Sequence, residues 1–270
     1  MAAPSARRHQ PQERGAAHKY QSRRRSLGGD QVEGRQSVKE LILANRRRVE
    51  QVWMEETVQR KGVAAQIADL CMSRRIPLLT VSQRRFEMQA RSEGNQGVIA
   101  KAAALRETDI DELAAEANAF LVVLDNITDP HNLGAILRSA ELAGVTGIVL
   151  PQNRATMITP TVTKSAAGAI EYLNFALVSG VPTALMQLKN SDITVIGLDA
   201  SGARSIFSTP KEASQRVAVV MGSEDKGIAR LAAERCDFLA KIPQLGHLDS
   251  LNVSAAAAIA LFEVARLRQG

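Results

Sequence analysis

The 270-residue chain contains only two cysteines, Cys71 and Cys236, far apart and in apolar surroundings. That excludes a disulfide framework or a thiolate metal cluster within one chain, and points to a reducing, cytosolic compartment. Long apolar runs are missing as well. The stretch 255–262 is among the longest, and it falls far short of the roughly 18 to 20 residues that a membrane span needs, so no membrane partner is expected. Several catalytic signatures are also absent. No GxSxG elbow surrounds Ser250, which disfavours a hydrolase triad. No GxxxxGK[ST] phosphate loop occurs, and neither His131 nor His247 belongs to an HExxH motif or a Cys/His cluster, so no metal is expected.

Hydrophobic residues make up 45% of the chain and charged residues 23%, a balance that supports a globular protein with a sizeable core. The net charge is +6, which suggests an anionic partner, nucleic acid first. That charge is unevenly placed. Residues 1–26 hold seven basic side chains against Glu13 alone, the whole excess, while 27–100 carry +3 and 101–270 carry −3.

The first 28 residues mix Arg, Gln, Ser, Pro and Ala with almost no large aliphatic side chains, so they bury too little surface to offset ordering entropy. They are expected to form a basic disordered arm. An Arg-rich, acid-poor start also suits an organelle transit peptide, although an amphipathic apolar face is lacking. Residues 29–101 alternate helical and strand patterns: Val38, Leu41 and Ile42 at helical spacing, a strand at 49–54, a helix through Val63, Ile67, Leu70 and Cys71, and strands at 77–81 and 98–100. This predicts a small α/β domain. The charged, alanine-rich stretch 102–118 reads as a linker with room for a short helix. From 119 to 270, apolar runs at 120–125, 147–150, 175–178, 193–199, 217–222 and 238–242 are continuous instead of alternating, as burial on both faces of a parallel sheet requires. A last helix is expected over 251–267.

Ligands of open parallel sheets bind outside the carboxyl ends of the strands. Three polar segments follow strands here: Asp125 to Gly134 with Arg138 beyond it, Met221 to Ile228, and Ile242 to Ser254. Asn132 and Ser250 each suit an N-cap, so neither segment is distinctive alone. The acids of the second segment would repel a polyphosphate and suit a ligand of positive or small charge.

Taken together and in order, NxxxxxR within LDNITDPHNLGAILRSAELAG (124–144), GSExxG within VVMGSEDKGI (219–228) and SLNVS within IPQLGHLDSLNVSAAAAIALFE (242–263) resemble the TrmH-type branch of the SPOUT RNA methyltransferases. The likeness is strongest to members acting on guanosine 2′-hydroxyls of large-subunit ribosomal RNA. GRQSVKELI (34–42) and NQGVIAKA (95–102) are similar to the opening and closing elements of the L30e-like RNA-binding domain of such enzymes, with Asn95 where those usually have histidine. The resemblance implies an α/β knot at the C-terminus, with S-adenosyl-L-methionine held by Leu198, Asp199, Ala200, Gly222, Ile242, Leu245 and Leu251. It implies that Asn132, Arg138, Glu224, Ser250 and Asn252 surround the reacting ribose, Glu224 and Asn132 fixing the Arg138 guanidinium. It also implies a homodimer acting on 23S rRNA or its precursor. Arg46, Arg47, Arg48, Arg74 and Arg75, with Asn95 and Gln96, are the expected RNA contacts.

Overall fold

The computed structural model describes residues 26–153, 156–224, 226–247 and 250–269. The N-terminal part runs β1 (Gln31–Glu33), α1 (Arg35–Ala44), β2 (Val49–Glu55), α2 (Val63–Ser73), β3 (Leu78–Val81), α3 (Gln83–Glu87) and β4 (Val98–Ala102). Its four strands form one sheet in the order β1-β4-β2-β3. Val38, Leu41 and Ile42 of α1 and Ala64, Ile67 and Cys71 of α2 bury the apolar faces seen in the sequence against Val32, Val52, Met54, Val98 and Ala100 of the sheet. Glu33 is fully buried, and its carboxylate accepts from the Arg91 N–H at 2.7 Å, the Ser92 N–H at 3.0 Å and the Ser92 hydroxyl at 2.5 Å. This buried acid fixes the loop that leads to Asn95 and Gln96.

The second part continues with α4 (Ile110–Ala115), β5 (Phe120–Leu124), α5 (Pro130–Leu142), β6 (Gly147–Pro151), α6 (Pro160–Ser165), β7 (Asn174–Val178), α7 (Val181–Asn190), β8 (Thr194–Leu198), β9 (Arg204–Ser205), β10 (Val217–Met221), α8 (Arg230–Ala233), β11 (Phe238–Lys241) and α9 (Val253–Gln269). The strands make a seven-stranded sheet in the order β7-β6-β5-β10-β8-β11-β9, every pairing parallel. Every residue of β5, β6 and β10 is buried, with α5 and α9 on one face and α4 and α7 on the other. That two-sided cover is why these strands are apolar without alternation.

β11 lies between β8 and β9, although those two follow one another in sequence. To insert there and still reach α9, the chain leaving Lys241 passes the 199–203 connection, while α9 packs against the 206–208 and 212–214 turns beyond β9. This threading is the α/β knot. Gly202 permits it, since a Cβ there would lie 2.6 Å from the Ala240 carbonyl carbon.

Two segments depart from what the sequence leads one to expect. Leu27, within the stretch expected to be a loose arm, is fully buried in the core of the second domain, and Gly28 bridges Ile158, with Ile158 N–H to Leu27 C=O at 2.9 Å. The apparent linker is docked too: Ile110, Leu113 and Ala114 of α4 are buried against the sheet and α7. Three apolar residues at helical spacing suffice to pin α4, and the surrounding alanines and charges mask them in the sequence.

Candidate active site

The carboxyl ends of β8, β10 and β11 converge on one cleft. It encloses about 290 Å³ and is lined by Leu198, Asp199 and Ala200 after β8, Met221 to Glu224 with Lys226 and Gly227 after β10, Ile242 and Gln244 after β11, and Ser250, Leu251, Val253 and Ala256 leading into α9. Six of the seven residues expected at the cofactor are therefore together. Leu245 is not among them: its side chain is fully solvent-exposed, because the loop after Gln244 turns away from the cleft.

Close backbone packing shapes this cleft. A Cβ on Gly222 would fall 2.0 Å from the carbonyl of Gly227, so only glycine lets the two ends of the 222–227 loop meet. Buried Asp125 ties that loop to β5, its carboxylate accepting from the Ala229 N–H at 2.9 Å. Nothing in the motifs singles out Asp125; its only sequence signal is an acid at the end of a wholly apolar strand. Asp199 accepts from the Ser201 N–H at 2.9 Å and the Ser201 hydroxyl at 2.6 Å. Burial by itself would raise its pKa, but those bonds and one from the Ile228 N–H outweigh it and hold the carboxyl below its ordinary value.

The polar motif residues meet at the rim. Asn252 Nδ2 donates to Asn132 Oδ1 at 3.0 Å and to Glu224 Oε1 at 2.5 Å. Asn252 Oδ1 accepts from the Ser254 N–H at 2.9 Å and from the Ala255 N–H at 3.4 Å, capping α9. Asn252 is thus the cap, where the sequence suggests Ser250. Likewise Asp129, not Asn132, caps α5: its Oδ1 accepts from the His131 N–H at 2.8 Å, with Pro130 at the first helical position. Asn132 lies inside the helix and is buried. Glu224 and Ser250 are exposed to the cleft, and Glu224 Oε2 takes no hydrogen bond among the described residues.

Arg138 is not held by Glu224 or Asn132. Six residues along α5 leave it about 120° round the helix axis from Asn132. It is exposed there and makes no hydrogen bond or ion pair among the described residues.

The expected RNA contacts divide. Arg47 is nearly buried, paired with Glu171 at 2.6 Å, and unavailable to phosphate. Arg46 donates to Asn174 Oδ1 at 2.6 Å and Arg74 to the Ile42 carbonyl, so both are partly engaged within the protein while remaining exposed. Asn95 accepts from the Gly97 N–H at 3.0 Å, and Gln96 Oε1 from the Arg35 N–H at 2.9 Å, which gives both a role in the turn. Arg48 and Arg75 remain exposed on the first domain. Among the described residues no three His, Cys, Asp or Glu side chains cluster as metal ligands, and no helix is long and apolar enough to cross a membrane.

Residues 119–262 match the SpoU rRNA methylase family, and residues 31–108 match the domain described as RNA 2′-O ribose methyltransferase substrate binding. The chain belongs to the SpoU rRNA methylase family. It is an RNA 2′-O-ribose methyltransferase. It is 38% identical over 244 residues, 88% of this chain and 96% of the relative, to the putative TrmH family tRNA/rRNA methyltransferase YacO of Bacillus subtilis. To the 23S rRNA (guanosine-2′-O-)-methyltransferase RlmB of Pseudomonas putida it is 35% identical over 246 residues, 89% and 97% of the two chains. In fold it is similar to the SpoU methyltransferase AviRb of Streptomyces viridochromogenes in complex with AdoMet, with a TM-score of 0.75 at 22% identity over 89% of this chain and 90% of that one. It is also similar to an AdoMet-bound rRNA methyltransferase of Sinorhizobium meliloti, with a TM-score of 0.71 at 24% identity over 87% and 86%.

Proposed function

We propose that this chain methylates the 2′-hydroxyl of a guanosine in 23S rRNA or its large-subunit precursor, in the cytoplasm and as a homodimer, with S-adenosyl-L-methionine as methyl donor. The observation that carries the substrate reading is the likeness to the Pseudomonas RlmB, which spans 89% of this chain and so takes in the substrate-binding domain as well as the catalytic one.

The cleft suits the donor: Leu198, Met221, Ile242 and Leu251 offer an apolar slot, Gly222 permits close backbone approach, and Asp199 and Ser250 supply polar contacts. When bound, S-adenosyl-L-methionine supplies a methyl group on a sulfonium. The work left to the protein is alignment of the ribose oxygen and support for loss of its proton. Asn252 has both amide hydrogens engaged, so it fixes Glu224 and Asn132 instead of touching substrate. Glu224 Oε2 and the Ser250 hydroxyl then face the ribose. Arg138, a permanent donor fork with no acceptor, orients the ribose phosphate and stabilises developing alkoxide.

A second subunit would complete this role for Arg138. α5 and α9 pack side by side, and Leu142 and Phe262 are 64% and 49% exposed on them, an apolar face next to Arg138 that a dimer would cover. In that arrangement Arg138 serves the partner's cleft.

The test is incubation with labelled S-adenosyl-L-methionine and undermethylated 23S rRNA, followed by mapping of alkali-resistant positions. One labelled guanosine is expected. Transfer to transfer RNA alone would replace the substrate reading, and transfer to no RNA would favour a binding protein that retains the fold.

A further inference from the structure

We infer that Arg47 is a positioning residue for the RNA reaction, riveting the substrate-binding domain to the catalytic domain at one angle. The inference rests on the chain acting on RNA and not on which RNA it takes.

Arg47 sits between α1 and β2, and four of its guanidinium N–H groups are engaged, two of them across the seam and two at the ends of its own domain. Nε and Nη2 reach the two oxygens of Glu171 at 2.8 and 2.6 Å, while Nη1 donates to the carbonyls of Gly29 at 2.5 Å and Ala103 at 2.6 Å. Gly29 precedes β1 and Ala103 follows β4, so one side chain ties the entrance and the exit of the first domain to the second. The pair is shielded from water, with side-chain exposures of 7% for Arg47 and 1% for Glu171.

Other contacts surround it. The Ser37 hydroxyl donates to the Thr163 carbonyl at 2.8 Å, and the Tyr172 hydroxyl to Glu40 at 2.8 Å. Gly168, at φ 95°, lets α1 approach, since a Cβ there would lie 2.4 Å from the Glu40 Cβ. The seam beside Arg47 is otherwise open: a cavity of about 600 Å³ runs past it, bordered by Arg106, Glu112 and Glu116. Apolar packing does not fill that space, so on this side of the seam the domains are held by directed polar bonds. A bidentate guanidinium–carboxylate pair fixes orientation as well as distance.

Two RNA-binding surfaces held at a set angle engage a long RNA without a further ordering cost. Loss of that angle falls on RNA recognition. It does not fall on the methyl-donor cleft, because Arg47 touches none of the residues that line it.

The experiment compares the full-length wild type with Arg47→Met and Glu171→Gln. It reads the S-adenosyl-L-methionine dissociation constant, kcat and KM on whichever RNA accepts methyl, and the distance distribution between spin labels on the two domains. The expected result is a KM raised about ten-fold, with kcat and donor affinity within about two-fold of wild type and a broadened distance distribution. Arg47→Met combined with Glu171→Met should recover most of the KM, since apolar groups can replace a buried pair without leaving a lone charge. If the single variants fold poorly, Arg47→Lys keeps the charge but loses the fork, and a several-fold rise in KM is expected. An unchanged KM in the folded variants, an unbroadened distance distribution, or a parallel fall in donor affinity would overturn the inference. The distance and donor measurements need no RNA, so a wild type inactive on 23S rRNA would count against the substrate reading alone.

Discussion

Asn252 Nδ2 lies 3.0 Å from Asn132 Oδ1, which joins the start of α9 to the first turn of α5 across 120 residues of sequence. The same side chain caps α9 through its oxygen, so its two ends do separable jobs. Asn252→Asp keeps the cap acceptor, removes both donors and sets a second carboxylate against Glu224. We expect melting within a few degrees of wild type and methyl transfer lowered by about 100-fold or more. Asn252→Ala loses the cap as well and should cost about 1 kcal/mol of stability in chemical denaturation.

Arg138 has no partner among the described residues, so Arg138→Ala should leave stability within about 0.5 kcal/mol of wild type while reducing kcat by about 100-fold or more. If Arg138 acts in the partner's cleft, refolding an equal mixture of Arg138→Ala and Asn252→Asp should restore about a quarter of wild-type activity, since heterodimers then carry one intact site. Recovery of none would place Arg138 in its own chain's site.

The Asp199 carboxyl is held below its ordinary pKa in the folded state. A depressed pKa stabilises the fold above the unfolded-state value, and the contribution fades as pH falls through the folded value, so acid should loosen the donor loop. Ser201→Ala removes the hydroxyl bond and should move the Asp199 titration upward, observable by carboxyl carbon NMR. The group is partly solvent-exposed, so the accompanying loss of stability should be small.

Deleting residues 1–25 removes the seven basic residues and the one acid that make up the whole net excess, yet leaves buried Leu27 in place. RNA affinity at low salt should fall, and the slope of log affinity against log salt should flatten by about 0.7 to 0.9 for each phosphate that the shortened chain no longer neutralises. Donor binding by calorimetry should not change. Equal RNA affinity with and without the segment would show that its charge serves something else.

Much of this molecule is legible from local sequence. Continuous apolar runs such as 120–124 and 217–221 announce a doubly covered parallel sheet, and Val38, Leu41 and Ile42 announce the buried face of α1, because burial imposes those periodicities directly. The three motif segments locate the cleft for a similar reason: each follows a strand, and strand ends converge in a parallel sheet. Cap positions are not legible in this way, since Asp129 and Asn132, or Ser250 and Asn252, are equally able acceptors until the helix start is known.

Local sequence carries the alternation of strands and helices, the charge division and the identity of the motif side chains. The partners those side chains meet come from the packing of distant segments. Asn252 with Asn132, Arg47 with Glu171, and β11 inserted between β8 and β9 all depend on contacts between distant segments. A polar side chain carries no mark of the partner it will meet, and two arginines of this chain show the range of outcomes: Arg47 is buried in a domain seam, while Arg138 remains at the surface.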